Sequence, residues 1–187
     1  MEIHIITGPP YCGKGTQCEI LKNLFGYMHV STGERCRLEK DNKTEIGNIM
    51  SHYEAQGDLV PDAIMKKLFS QIIDENAGEK GIILDGYPRT KPQVVDLLEL
   101  VASKNLSIGK VINIEVPKEE LLRRAKKRAE HSAREDDKNE AVHIKRINVF
   151  EEMTRPAIAY MKTRLNVWSF DGNGTVEEVT EKIKAVL

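Results

Sequence analysis

The stretch that most restricts what this chain can become lies at its start. Glu2-Ile3-His4-Ile5-Ile6-Thr7 is a short, apolar, β-branched run that stops at Gly8, and after Pro9-Pro10-Tyr11-Cys12 comes Gly13-Lys14-Gly15-Thr16-Gln17. From Cys18 to Phe25 the apolar residues recur at helical spacing, so the order is strand, glycine loop, helix. Such a turn can wrap a phosphate: successive backbone N–H groups point inward, and the unpaired N–H groups of the helix N-terminus add partial positive charge. Lys14 then reaches the terminal phosphates of a nucleotide. The other reading, a glycine turn beside a solvated lysine, is weakened by the strand-loop-helix context. In the general form of the motif a Ser or Thr follows the lysine and binds Mg²⁺ through its hydroxyl. Here Gly15 takes that position, so direct ligation by Thr16 is not expected, and the metal's partner has to come from further along.

With 187 residues and 40% hydrophobic content the chain is long enough for one ordinary domain with small appendages. A net charge of −1 gives no sign of a nucleic-acid or membrane surface. Cys12, Cys18 and Cys36 have no paired spacing and read as free thiols of a reducing compartment. Met1 leads straight into the first strand, and no apolar run approaches the ~20 residues that span a bilayer. A cytoplasmic protein is expected.

Gly26 to Val30 offers a second strand, and Ser31-Thr32-Gly33-Glu34 a hydroxyl-capped helix start. The segment 31–60 is polar and helical in pattern, interrupted at Gly47 and Gly57, with Ile46, Ile49, Met50 and Tyr53 as a thin apolar stripe. It is too poor in apolar residues to stand alone and is a candidate for motion. Pro61-Asp62 opens a helix with Ile64, Met65, Leu68, Phe69, Ile72 and Ile73 at core spacing. Gly81 to Asp85 reads as a buried strand whose terminal carboxylate sits where α/β sheets bind ligands. An aspartate there can attend Mg²⁺ or simply begin the turn at Gly86. Tyr87-Pro88 is expected to be cis. Further on come a helix from Lys91 to about Ala102, a strand at 110–115, and a helix from Pro117 to about Glu130. A long helix from about Asp137 to Arg164, kinked or split at Pro156, precedes a strand at 167–170. Thr175 and Glu178 have capping-box spacing for a last helix. Five strands each followed by helix imply a three-layer α/β fold around a parallel sheet.

Arg123, Arg124, Lys126, Lys127 and Arg128 crowd one helix, with Arg134 just beyond and Lys145 and Arg146 on the next. Arg124 and Arg128 share a face. The cluster is either a solvated surface balanced by neighbouring acids or the seat of a polyanion, and the phosphate loop favours the second. Phosphoryl transfer needs such cations, because its transition state spreads charge over the equatorial oxygens.

Taken together, the phosphate loop, Ser31-Thr32-Gly33 with Arg37, Gly57-Asp58-Leu59-Val60-Pro61, Asp85-Gly86-Tyr87-Pro88-Arg89-Thr90 with Gln93, Arg134 with Asp136-Asp137, and Arg146 followed by Thr154, Pro156 and Tyr160 resemble the adenylate kinases, a branch of the nucleoside monophosphate kinases, from end to end. The resemblance implies a phosphate-loop core of 1–30, 61–127 and 137–187, an AMP-binding helical insertion at 31–60 and a short lid at 128–136. It implies reversible transfer from MgATP to AMP giving two ADP, by a cytoplasmic monomer whose partners are these nucleotides. Gly8, Pro9, Pro10, Tyr11, Cys12, Gly13, Lys14, Gly15 and Thr16 would hold ATP, with Arg124 against its base. Thr32, Arg37, Gly57, Asp58, Leu59, Val60, Gly86, Arg89 and Gln93 would hold AMP. Lys14, Arg89, Arg128, Arg134 and Arg146 would stabilise the transferring phosphoryl group, and Asp85 would orient water on Mg²⁺. The lid carries no cysteine cluster, so no structural zinc is expected there.

Three departures matter. Tyr11 stands where relatives usually have glycine, and its ring must either leave the loop or cap it. Ala133 replaces a usual glycine, and one extra residue before Arg146 makes Lys145 its rival for the phosphate position. Arg146 is preferred, since the match downstream is ungapped. These departures would suit a non-catalytic nucleotide-binding protein of the same fold. A pyrimidine (UMP/CMP) monophosphate kinase is the other alternative, against which stand Thr90 and the Ser31-Thr32-Gly33 step.

Overall fold

The computed structural model describes residues 1–131 and 139–187. The strand at the amino terminus, β1 (Glu2–Thr7), lies at the centre of a five-stranded parallel sheet of order β2-β3-β1-β4-β5. The others are β2 (Met28–Ser31), β3 (Gly81–Asp85), β4 (Ser107–Glu115) and β5 (Val167–Asp171). Side chains alternate between the faces of a strand, and here both faces are covered. Ile3, Ile5, Ile82, Leu84 and Val111 enter one core, while Ile6, Ile83, Ile112 and Ile114 enter the other. Central strands must therefore be apolar throughout, which is why their sequences form continuous runs.

The first core is closed by α4 (Asp62–Glu75), α5 (Lys91–Ser103) and α8 (Arg155–Lys162), which contribute Phe69, Leu97 and Met161 among others. The second is closed by α1 (Lys14–Phe25), α6 (Lys118–His131), α7 (Glu140–Val149) and α9 (Val176–Lys184), through Leu21, Leu121, Ile147 and Ile183. Between β2 and α4, α2 (Thr32–Asp41) and α3 (Glu45–Gln56) form a helical pair that sends Cys36 and Met50 into the first core.

Some boundaries differ from the sequence reading. β4 begins at Ser107 rather than Lys110, its extra residues pairing with Glu2 and Ile3 before a register shift. Gly47 does not interrupt a helix; it lies buried inside α3, where a Cβ would meet the Glu39 carbonyl at 2.2 Å. The helices of the insertion are broken instead between Asp41 and Glu45, with Lys43 at φ 54° and Thr44 capping α3. The long helix is split by a π-helical turn, Phe150–Thr154, just before Pro156. Proline lacks an N–H and its ring crowds the carbonyl of residue i−4, so the hydrogen-bond register widens there. Tyr87-Pro88 is cis, and Thr175 with Glu178 forms the capping box. Among the described residues no helix is long and apolar enough to cross a membrane.

Candidate active site

The carboxyl ends of the central strands point into one cleft of about 660 Å³, the position in which parallel α/β sheets bind ligands. Its floor is the loop between β1 and α1. Gly8 leaves the sheet at φ 146°, where a Cβ would stand 2.4 Å from the Ile114 carbonyl oxygen; only glycine passes so close to β4. Gly13 is the N-cap of α1 and no side chain caps that helix, whereas Ser31, Thr44, Thr90, Asn139 and Thr175 cap α2, α3, α5, α7 and α9. The first N–H groups of α1 are thus presented to the cleft, the arrangement that takes an anion. Lys14 stays within the loop, its Nζ donating to the carbonyls of Gly8 (2.9 Å) and Pro9 (2.7 Å).

Tyr11 adopts φ 67°, and its ring leaves the loop towards α6 and α7. Its hydroxyl lies 2.5 Å from Nδ1 of the buried His143, and the Arg128 guanidinium lies 5.8 Å from its ring centroid. The residue therefore ties the phosphate loop to the opposite wall.

Asp85, the last residue of β3, pairs in register with Ile6 and Ser31. Burial alone would raise its carboxyl, but the His29 imidazole 3.5 Å away and the charges of Lys14 and Arg89 outweigh that and hold it below the ordinary aspartate value. His29 is placed between Asp85 and Glu19 (Nδ1 to Oε1, 2.7 Å). Against the lowering effect of burial, the two carboxylates hold its pKa above the usual histidine value. Next, Gly86 turns at φ 87°, and a Cβ there would sit 2.6 Å from both Arg89 Nη2 and Thr32 Oγ1. That absence lets Arg89 fold back, its Nε donating to the Gly86 carbonyl at 2.6 Å.

Cations from several elements line the cleft: Lys14 at the start of α1, Arg37 on α2, Arg89 before α5, Arg124 and Arg128 on α6, and Arg146 on α7. Arg124 is fixed by Glu120 (2.7 Å), the Gly172 carbonyl (2.8 Å) and the Cys12 carbonyl (3.4 Å). Arg37 faces Glu54 at 3.9 Å, and Arg146 donates to the Glu54 carbonyl at 3.4 Å. Lys145 does not line the cleft and makes an exposed ion pair with Asp58 (2.6 Å). The rest of the basic cluster is not all at the site: Arg123 pairs on the surface with Glu120, and Lys126 with Glu140.

Of the residues singled out in the sequence, Gly8, Pro10, Tyr11, Gly13, Gly15, Thr16, Gly57, Asp58, Leu59, Asp85 and Gly86 also line the cleft. Pro9, Cys12, Val60, Thr32 and Gln93 are not among the side chains that do. Thr32 and Gln93, expected at the AMP base, are buried and already bonded: the Thr32 hydroxyl donates to the Asp85 carbonyl (3.1 Å), and Gln93 Nε2 to Asp62 Oδ1 (2.7 Å). The same carboxylate accepts from Thr90 (3.0 Å), and Gln93 Oε1 accepts from the Arg89 N–H (2.7 Å). Arg134, Ala133 and Asp136-Asp137 lie outside the described residues.

The sequence did not single out Glu19, His29, Glu54, Asp62 or His143. Apart from Glu19, ten residues from His29, each acts across a long sequence separation, and a lone histidine or acid carries no spacing signal. Asp62 was legible only as a helix opener.

The adenylate kinase family model matches residues 6–166. The chain is 35% identical to an adenylate kinase of Flavobacterium psychrophilum over 183 residues, 98% of this chain and 96% of that protein. It is 38% identical to one of Bacteroides fragilis over 97% and 96% of the two lengths, and 34% identical to one of Porphyromonas gingivalis over 98% and 94%. A match of this extent takes in β1, the glycine loop, the helical pair and the arginine-bearing helices alike, and so the chain belongs to the adenylate kinase family.

Proposed function

We propose that this protein catalyses the reversible transfer of the terminal phosphoryl group of MgATP to AMP, giving two ADP. The observation that carries the reading is the convergence of Lys14, Arg37, Arg89, Arg124, Arg128 and Arg146 on one cleft floored by the uncapped start of α1. The loop from Gly8 to Thr16 and Lys14 hold the ATP phosphates, with Arg124 beside the base. Arg37 and Arg89 hold the AMP phosphate, with 57–60 along its sugar. An AMP phosphate oxygen attacks the terminal phosphorus of ATP in line, and the bond to the bridging oxygen breaks. No side chain need act as nucleophile, and fixed cations, Arg128, Arg134 and Arg146 among them, stabilise the charge spread over the transferring group.

Mg²⁺ keeps several waters and needs few protein ligands. Asp85 suits such a role: its carboxyl is held below the ordinary aspartate value at the cleft wall, and Gly15, where a Cβ would lie 3.7 Å from its Oδ2, adds no side chain on that side. When bound, the metal neutralises charge on the phosphates. Thr32 and Gln93 serve by position, fixing the Asp85 and Arg89 backbone against which the AMP base rests. The core of 1–30, 61–127 and 137–187 stays rigid, while the insertion 31–60 and the lid 128–136 close over the substrates and keep water from the donor. The protein acts as a cytoplasmic monomer.

The test is an acceptor panel of AMP, CMP, UMP and GMP with MgATP in a coupled assay. AMP is expected to exceed CMP and UMP in kcat/KM by about tenfold or more, the range that a few base contacts supply. Comparable values for CMP, or tight nucleotide binding without ADP formation, would overturn the reading.

A further inference from the structure

Beside the nucleotide cleft lies a group of side chains that phosphoryl transfer does not use as a group. Cys18 on α1, His29 on β2 and Asp85 on β3 bring one sulfur, one nitrogen and one oxygen donor within 4.8 Å of one another. We propose that Cys18, His29 and Asp85 form a three-ligand site for a thiophilic divalent cation of the Zn²⁺ class, open to the cleft, and that its occupation takes Asp85 from the nucleotide's metal and stops phosphoryl transfer. The second half rests on the proposed function; the site itself does not.

Geometry and chemistry support it separately. His29 Nε2 stands 3.5 Å from Asp85 Oδ2, close to the edge of about 3.4 Å in a tetrahedron with bonds near 2.1 Å. That nitrogen is buried on a side chain only 4% exposed, and it has no hydrogen-bond partner among the described residues. The other ring nitrogen donates to Glu19 Oε1 at 2.7 Å, which leaves Nε2, facing Asp85, as the nitrogen that gives up its proton to bind a metal. A carboxylate behind a histidine in this way is the usual support of a metal-ligating imidazole. The mixed S, N, O set favours zinc-like ions over Mg²⁺ or Ca²⁺, which take oxygen. Cys18 is fully buried behind the other two, while His29, Asp85 and Gly15 form the cleft wall. A cation therefore enters from the cleft, releases the Cys18 thiol proton and the proton of a charged His29 to solvent, and keeps a fourth position for water or a phosphate oxygen. An Asp85 oxygen bonded to it cannot also orient the waters of Mg²⁺.

Co²⁺ is the probe, because a thiolate bound to it gives a near-ultraviolet charge-transfer band. Titrating the full-length, nucleotide-free protein should give one saturable band that Zn²⁺ displaces. Cys18→Ala should abolish it. Glu19→Gln, a change at an exposed position that leaves the core intact, should weaken Co²⁺ binding by about tenfold, as loss of such a support does. With MgATP and AMP, the free Zn²⁺ giving half inhibition should rise by at least about tenfold in Cys18→Ala, while its activity in Mg²⁺ alone is kept. A wild-type protein without the band, or a band that survives Cys18→Ala, would overturn the site. A band lost in Cys18→Ala with zinc inhibition unchanged would overturn the switch. Failure of the zinc-free protein to phosphorylate AMP would sink the proposed function and leave the Co²⁺ result standing.

Discussion

The sheet and the helical insertion are held together by different physics. Around β1, β3 and β4, Ile3, Ile5, Leu84 and Ile114 are fully buried, so the phosphate loop and Asp85 stand on a closely packed base. The pair α2 and α3 buries little, chiefly Cys36 and Met50, and leaves Leu38 and Ile49 exposed. Ion pairs supplement that packing: Arg35 to Glu75 (2.7 Å) and Asp58 to Lys145 (2.6 Å) tie the insertion to α4 and α7, and Arg37 to Glu54 (3.9 Å) ties α2 to α3. Exposed ion pairs contribute roughly 0–1 kcal/mol each, and a buried Leu or Phe side chain about 1.5–3 kcal/mol. The difference teaches that, on the proposed function, the donor side of the cleft would stay put and the acceptor side would move at small cost.

The largest expected effect crosses both regions. Lys14→Ala on the fixed side, or Arg89→Ala facing the insertion, should lower kcat/KM for AMP by more than about a hundredfold, since a positioned cation supplies ~10³–10⁵ in phosphoryl transfer. Their thermal unfolding should hardly change, and wild-type turnover in either would remove its role. Within the sheet, Leu84→Ala should cost about 2–5 kcal/mol in denaturant unfolding. Leu38→Ala in the insertion should stay within about 0.5 kcal/mol. Equal losses would erase the contrast. Asp58→Ala should shift stability by less than about 1 kcal/mol while raising the KM for AMP more than that for ATP; a change confined to ATP would contradict the assignment of 57–60.

The smallest effect reads motion directly. Burial pushes the Cys36 thiol up to about 12, so with the insertion packed as it is almost none is thiolate at neutral pH. Its alkylation should therefore be slow, should quicken about tenfold per pH unit, and should precede that of Cys18, which burial also raises. Cys18 reacting first would place the looser region in the wrong half of the molecule.

Much of this contrast was legible in the chain. The β-branched run into Gly8, and the poverty of apolar residues between Ser31 and Pro61, follow from local composition, and they mark the densely packed floor and the sparsely packed wall. The helix break at 42–44 was misplaced to Gly47, because glycine within a helical pattern reads as a breaker when it is in fact a site of close packing against Glu39. Long-range partners were the other loss. Nothing near His29 announces Glu19 on one side and Asp85 on the other. Nor does Tyr11 reveal that its ring reaches His143, 132 residues away. Gln93 and Thr32 come to the base by resemblance; what the sequence did not show is that both are buried and bonded, since a buried amide or hydroxyl must find partners and Asp62 and the Asp85 carbonyl are there. The choice between Lys145 and Arg146 turns on helix phase, Lys145 pairing with Asp58 at the rim and Arg146 lining the cleft.

The central claim is that one chain of phosphates runs from the glycine loop to the insertion. A crystal structure with a bisubstrate dinucleotide, two adenosines joined through a polyphosphate, tests it most directly. The account predicts phosphates against the N–H groups of residues 8–16 at one end and Arg37 and Arg89 at the other, with Arg128 and Arg146 between them. A dinucleotide whose second adenosine lies outside the cleft, or arginines turned away from its phosphates, would contradict it.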